Sequence, residues 1–398
     1  MMPMRGTPDT TPHGISIHRR VMIVAGEASG DIYGADLVRE AHLLNPGLHF
    51  FGIGGARMRE AGVTTLVDSA DIAVMGLVEV IKHFGVISSA FFKLKNILQE
   101  DPPELLILID YPGFNIRLAK TAKKAGVKVL YYISPKVWAW KAGRIKTIAA
   151  AVSQMAVIFP FEVPLYEKEG LPVSFVGHPM LDLVNVSMSR EDAAASFDLD
   201  PSRQIIGLFP GSRKSEIERI LPAILAAAEL LQKDFPGLQF VLPLASTLSK
   251  GDILPHLKRS GITATITRQR IHDLIRACDA IISVSGTVTL EIALIGTPMV
   301  IIYRLAPLTY QVARRVVKIE HIGLCNIVAG RSLVKELIQE QANPEAIAAE
   351  INTIITDAAY RTAMTAELST IREKLGGGGA AARTASLALD IINRKRVI

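Results

Sequence analysis

Short β-branched runs alternate along the chain with stretches that repeat apolar residues every three to four positions. Strands buried on both faces read as continuous apolar runs, and helices covering them show one apolar stripe, so the pattern predicts an α/β protein with mainly parallel sheets. In the first half, strands are predicted at 21–25, 49–53, 104–109, 128–133, 154–158 and 173–176, with helices between them such as 31–44 and 115–125, the latter stopped by Gly126. The pattern breaks into a polar stretch at 179–201 and then restarts. A second set of strands is predicted at 205–209, 239–242, 263–266, 280–284 and 299–302. After about Asn343 the chain reads as helical to its end, interrupted by the glycine run 376–379.

Two Rossmann-like halves follow, one at 21–180 and one at 202–342, with helices at 343–398 whose glycine run is a candidate hinge for packing the last helix elsewhere. Residues 1–20 read as a loose polar tail, without the apolar centre of a signal peptide. The most hydropathic window, 280–303, holds one charge, but Ser283, Ser285, Gly286, Gly296 and Pro298 punctuate it as strand, helix and strand. A membrane span needs roughly 20 predominantly apolar residues, and this window is expected to be a βαβ unit instead.

Composition agrees with two cores: 398 residues exceed what one core usually fills, and 49% hydrophobic with 21% charged residues is globular. Mean hydropathy of +0.31 points to a large buried sheet core. Cys278 and Cys325 make neither a disulfide framework nor a zinc site, which suits a reducing cytoplasm. The net charge of +6 leaves nucleic acid, an anionic membrane or a phosphorylated substrate as partners. No helix-turn-helix, zinc-finger or RNA-binding signature is present, so nucleic acid is not expected.

In open parallel sheets, ligands sit beyond the carboxyl ends of the strands. Three glycine-containing turns there stand out. The first, 25–31, contains Glu27, Ser29, Gly30 and Asp31 and opens a helix; it is either a ligand loop or a tight turn with Ser29 as its cap. The second, 208–213, puts Gly211, Ser212 and Arg213 at a helix entrance, where an arginine fork suits a diphosphate; the alternative is a plain cap with a solvated arginine. The third, 285–291, begins at Ser285 and offers the amides of Gly286 and Thr287 to phosphate and Glu291 to ribose hydroxyls; otherwise Glu291 is a buried carboxylate at a helix start. Asp110 follows the apolar run 106–109 and is a candidate base, or else a helix cap. Asp198 and Asp200, in the linker before Pro201, read as a solvated turn rather than a metal site. The apolar stretch with Val74, Met75, Leu77, Val78, Phe84, Phe91 and Phe92, rimmed by Lys93 and Lys95, either covers the core or rests on lipid.

Together these segments resemble the lipid-A-disaccharide synthase family of GT-B glycosyltransferases. The resemblance rests on 25–31, 73–80, 109–115, 134–140 (SPKVWAW), 175–178 (FVGH), 208–213, 285–291 and 326–331, in order, over about residues 21 to 390. It implies the GT-B fold and the joining of UDP-2,3-diacylglucosamine to 2,3-diacylglucosamine 1-phosphate with inversion and release of UDP, at the cytoplasmic side of the inner membrane. It further implies Asp110 as base, Arg213 at the diphosphate, Glu291 and Asn326 at the uridine nucleotide, and the Glu27 loop on the acceptor side. Such a site works without a metal or other cofactor, and the family's dimer exchanges C-terminal segments. Cys325 stands where the family usually has proline. A UDP-sugar epimerase of the same fold and a nucleotide-regulated peripheral lipid-binding protein are the competing readings.

Overall fold

The computed structural model describes residues 19–72, 84–138, 143–316 and 319–394. Each apolar run becomes a strand in one of two sheets. The first contains β1 (Arg19–Ala25), β2 (Leu48–Gly54), β3 (Thr64–Asp68), β4 (Leu105–Ile109), β5 (Lys128–Tyr132), β6 (Gln154–Val157) and β7 (Val173–Phe175), in the order β3-β2-β1-β4-β5-β6-β7. The second contains β8 (Ile205–Phe209), β9 (Gln239–Pro243), β10 (Ala264–Thr267), β11 (Ala280–Val284), β12 (Met299–Tyr303) and β13 (Glu336–Ile338), in the order β10-β9-β8-β11-β12-β13. Neighbouring strands pair parallel throughout, and β1, β4, β8 and β11 are the buried centres. Strands β3 and β13 escape the sequence pattern because both are short edge strands with only partial burial.

Strand order reverses between β1 and β4 in the first sheet and between β8 and β11 in the second. Chains leaving the paired strands there diverge to opposite faces, which opens a crevice at each sheet's carboxyl edge. The window 280–303 is β11, the helix Val288–Ile295 and β12. Among the described residues, no helix is long and apolar enough to cross a membrane. The predicted helix 115–125 starts earlier, at Pro112–Lys124, because a proline at the first helical position has its ring angle preset and lacks only an amide the helix would leave unpaired.

The chain passes between the lobes twice, side by side. At the first passage, the His178 amide donates to the Leu375 carbonyl at 3.1 Å. Asp182 accepts from the Gly379 amide at 2.8 Å, and Arg383 Nε donates to the Val176 carbonyl at 2.8 Å. Gly177, Gly376 and Gly379 take the left-handed conformations that this tight apposition needs. Beyond it, the last helix, Ala380–Asn393, lies on the first lobe of its own chain, where Lys128 Nζ reaches the Ile391 carbonyl at 2.8 Å. The linker instead belongs physically to the second lobe. Arg190 forks onto Asp279 at 3.2 and 2.8 Å, and Ser187 gives its amide and hydroxyl to Asp273, both at 2.8 Å.

Gly52 sits mid-strand at φ +148°, beside a register shift in the β2–β3 pairing, and a Cβ there would stand 2.1 Å from the Ile23 carbonyl oxygen. Gly52→Ala is expected to destabilise the protein by roughly 2–4 kcal/mol through strain and steric conflict. Urea unfolding measures it, and a loss under about 0.5 kcal/mol, the range of neutral surface changes, would refute the argument.

Candidate functional site

At the crevice of the first sheet, β1 runs into Gly26 and Glu27 while its neighbour β4 runs into Asp110 and Tyr111. Asp110 and Tyr111 both adopt left-handed backbone, at φ 43° and 48°, a strained choice for residues with side chains. The surroundings hold it there. The Asp110 carbonyl accepts from the Tyr131 hydroxyl at 2.6 Å and from Asn115 Nδ2 at 2.8 Å, and the Tyr111 hydroxyl donates to the Ile72 carbonyl at 2.8 Å. The Tyr111 ring covers Gly26 so closely that a Cβ would stand 2.4 Å from it. Ile133, one strand over, is also left-handed at φ 66° and leads into Ser134, Pro135 and Lys136.

Burial pushes the Asp110 carboxyl up to about 6, and the charge of Glu27 pushes the same way. Lys136 and a hydrogen bond from the Tyr111 amide pull it back. A carboxylate poised there is a fit general base near neutral pH. Burial also holds His178 down to about 3, with Lys136 again facing it. Glu162, buried, is pushed up to about 8 and keeps its proton at neutral pH. It accepts from Trp138 Nε1 at 3.1 Å and so fixes the indole at the cleft wall.

Across the cleft, β8 ends in Gly211, at φ 106°, and β11 ends in Ser285 and Gly286. Glu216 folds back into the first of these turns. Its Oε2 accepts the amides of Ser212 and Arg213 at 3.0 and 3.2 Å, and its Oε1 pairs with Arg213 Nη1 at 3.0 Å. Those two amides are therefore engaged. Among the described residues, the amides of Gly286 and Thr287 have no such partner, and a Cβ on Gly286 would meet open space. Ser285 lends its hydroxyl to the Ile322 carbonyl at 2.8 Å, and Glu291 Oε2 lies 3.3 Å from His272 Nε2.

A cleft of about 1120 Å³ lies along the second edge, lined by Arg213, Gly286, Thr287 and Glu291; Lys136 and Trp138 close it from the first lobe, while Glu27 and Asp110 stand outside its lining. Tyr33, on the helix Ala28–Leu44 of the first lobe, registers both sides: burial first, then the charges of Glu291 and Asp110, push its phenol up to about 12.

Three residues expected at the ligands serve the fold itself through their side chains or the lack of one. Asn326 is fully buried and spends all its hydrogen-bonding capacity inside the lobe. Nδ2 donates to the Val334 carbonyl and Glu336 Oε1 at 2.9 and 2.8 Å, while Oδ1 accepts from the Leu333 and Val334 amides at 2.8 and 3.1 Å. With Glu336, which accepts the Ile322 and Gly323 amides, its side chain shapes the loop that lines the cleft. Asp31 is likewise buried, accepting the amides of Gly55, Arg57 and Met58 at 2.6, 3.1 and 3.1 Å, and so fastens a turn. Gly30 is buried where a Cβ would stand 3.3 Å from that of Ala25, so it permits close helix–strand packing. Glu27 remains half-exposed at the crevice and Ser29 exposed, and Ser29 is not the helix cap, which is Glu27.

Asp200 accepts the amide and hydroxyl of Ser202 in an exposed turn. Phe84 and Phe92 are exposed, at 63% and 55%, whereas Phe91 leans on Phe114 with ring centroids 5.6 Å apart. Val74, Met75, Leu77 and Val78 lie outside the described residues. Lys136, Trp138, Glu216 and His272 went unassigned from sequence; only the first two carried a signal, by following β5 in the run 134–140.

The chain matches, over residues 21–389, the profile of a family described as lipid-A-disaccharide synthetase. The lipid-A-disaccharide synthase of Trichlorobacter lovleyi is 68% identical over 376 residues, covering 94% of this chain and 98% of that relative. That of Geobacter metallireducens is 58% identical over 383 residues, covering 96% and 100%. In fold, the chain is similar to UDP-GlcNAc 2-epimerase from Neisseria meningitidis bound to UDP-GlcNAc, at 15% identity, TM-score 0.64 and coverage of 93% and 100%. It is also similar to the calicheamicin glycosyltransferase CalG4, at 13% identity, TM-score 0.58 and coverage of 96% and 100%.

If Asn326 works by holding its loop, Asn326→Ala should cost roughly 2–4 kcal/mol of unfolding free energy, because it strands two buried amides and a carbonyl. Urea unfolding together with UDP titration checks this. Weakened UDP binding at unchanged stability would return Asn326 to direct nucleotide contact.

Proposed function

The chain belongs to the lipid-A-disaccharide synthetase family, and from that premise we propose how its two facing sheet edges carry the reaction. It is a glycosyltransferase that condenses UDP-2,3-diacylglucosamine with 2,3-diacylglucosamine 1-phosphate to give lipid A disaccharide 1-phosphate and UDP. The likeness to epimerases is one of fold alone.

In the proposed step, the acceptor's 6-hydroxyl oxygen attacks the donor's anomeric carbon as the bond from that carbon to the diphosphate oxygen breaks. Asp110 takes the hydroxyl proton, and the configuration inverts. UDP leaves carrying the electron pair, and the charge developing on its diphosphate meets the Arg213 guanidinium and the amides of Gly286 and Thr287, donors already in place before the charge appears. Glu291 accepts ribose hydroxyls, and Glu27 and Ser29 face the acceptor. One observation carries this reading: Asp110, raised to about 6 by burial, stands at one switch-point crevice, and the arginine and unspent amides stand at the other.

We further propose a peripheral position at the cytoplasmic face of the inner membrane. Exposed Phe84 and Phe92, with Lys95 Nζ 5.7 Å from the Phe92 ring centre, give an apolar contact with a basic rim. Together with the net charge of +6, that suits anionic lipid.

Asp110→Asn should leave UDP affinity unchanged while lowering kcat by roughly 10²–10⁴-fold, the usual worth of a general base. Isothermal titration with UDP and mass spectrometry of the disaccharide product measure the two halves, and near-normal turnover would remove Asp110 from the chemistry.

A base must be unprotonated to act. With its carboxyl raised to about 6, kcat/KM should fall about tenfold per pH unit below that point and level off above it. Glu27 raises Asp110, so Glu27→Gln should move the acid limb to lower pH. A limb that stays in place would separate the two carboxylates.

A further inference from the structure

Arg270, His272 and Asp273, at the start of the helix Ile271–Ala277, all bond to the interlobe linker. Arg270 donates to the Ser196 carbonyl at 3.1 Å and lies over the Phe197 ring at 4.8 Å. Asp273 takes the amide and hydroxyl of Ser187. Of the three, His272 also meets a residue that lines the cleft, Glu291. Its Nδ1 is 3.3 Å from the Asn185 amide, and its Nε2 is 3.3 Å from Glu291 Oε2.

The Asn185 amide can only donate, so Nδ1 must accept and the ring proton sits on Nε2, pointed at the Glu291 carboxylate. One imidazole thus joins the linker backbone to the carboxylate read above as the ribose acceptor. Asn185 lies just past Val184, where the chain leaves the side-by-side passages between the lobes.

We propose that His272 is a positioning residue that registers the nucleotide held at Glu291 to the interlobe linker, and so to the spacing between Asp110 and the donor's anomeric carbon; this rests on the ribose reading of Glu291. Fixing the carboxylate from behind leaves Oε1 for the ribose. Fixing the linker sets how the second lobe is presented to the first. The two bonds serve different steps, the first nucleotide binding and the second alignment for transfer.

Two conservative substitutions cut them separately. His272→Gln places an amide N–H near the Nε2 position and keeps the bond to Glu291, while His272→Asn places a carbonyl oxygen near Nδ1 and keeps the bond to Asn185. For His272→Gln, UDP affinity should stay within about threefold of the parent and kcat should drop about tenfold. For His272→Asn, the UDP Kd and donor KM should rise about tenfold with kcat within about threefold. Glu291→Gln is the reference and should weaken UDP about tenfold.

Parental kcat and Kd in both His272 variants, with Glu291→Gln weakened, would overturn the coupling alone. Equal losses of kcat and affinity in both variants, tracking a lowered Tm, would reduce His272 to a structural role and overturn it as well. A Glu291→Gln protein that binds UDP as the parent does would overturn the ribose reading itself, and the coupling with it.

Discussion

Parallel strands whose order reverses cannot keep their outgoing chains together, and the crevice this leaves is the constraint on which the site depends. Each sheet has one such reversal, between β1 and β4 and between β8 and β11. The residues just beyond those four strands are Gly26 and Glu27, Asp110 and Tyr111, Gly211 to Arg213, and Ser285 to Thr287. The interior makes this stringent. β4 is apolar and buried over its whole length, so Asp110 is the first position where the chain can present a charge. The polar groups converge because the apolar ones have nowhere else to end.

A carboxylate at the rim of such an interior is pulled two ways. Desolvation favours its protonated form, and so does the neighbouring Glu27, while Lys136 favours the charge. The result near 6 needs the side chain to stay where these influences balance. That explains the strained turn: left-handed Asp110 and Tyr111 cost conformational energy, and the bonds from Tyr131, Asn115 and Tyr111 itself supply the restraint. On the opposite edge, Glu216 plays the complementary part, holding the Gly211–Arg213 turn in shape with a carboxylate where the amides would otherwise be unsatisfied.

The central strands and the turns after them were legible in the sequence because both are local properties: an apolar run, then glycine or a charge. What a polar side chain does after folding is not local. The resemblance makes Asn326 and Asp31 binding residues, yet both side chains are buried and spend their bonds inside the fold. Nothing within a few residues of Asn326 distinguishes a solvent-facing amide from one that organises a loop. His272 failed to register for the opposite reason, since its linker partner is 87 residues away and its other partner lies on a different helix. Edge strands β3 and β13 were missed because half-exposed pairing needs no apolar run.

The two lobes also trade pieces of chain, and the trade bears on how the cleft is held. The linker that follows the first sheet is bonded to the second lobe through Arg190, Ser187 and Asn185, while the helix that follows the second lobe lies against the first. What is left between them is a narrow band, near 177–184 and 375–379, where the two passages bond to each other through His178, Asp182 and Arg383. Glycines at 177, 376 and 379 make that band tolerant of unusual backbone angles, and the bonds across it tie the two passages into one unit. Any rotation of one lobe against the other must therefore be absorbed there. A substrate pair with acyl chains needs a cleft that admits bulk and then excludes water, and a single glycine-rich band flanked by two firmly bonded anchors allows that change without disturbing either crevice.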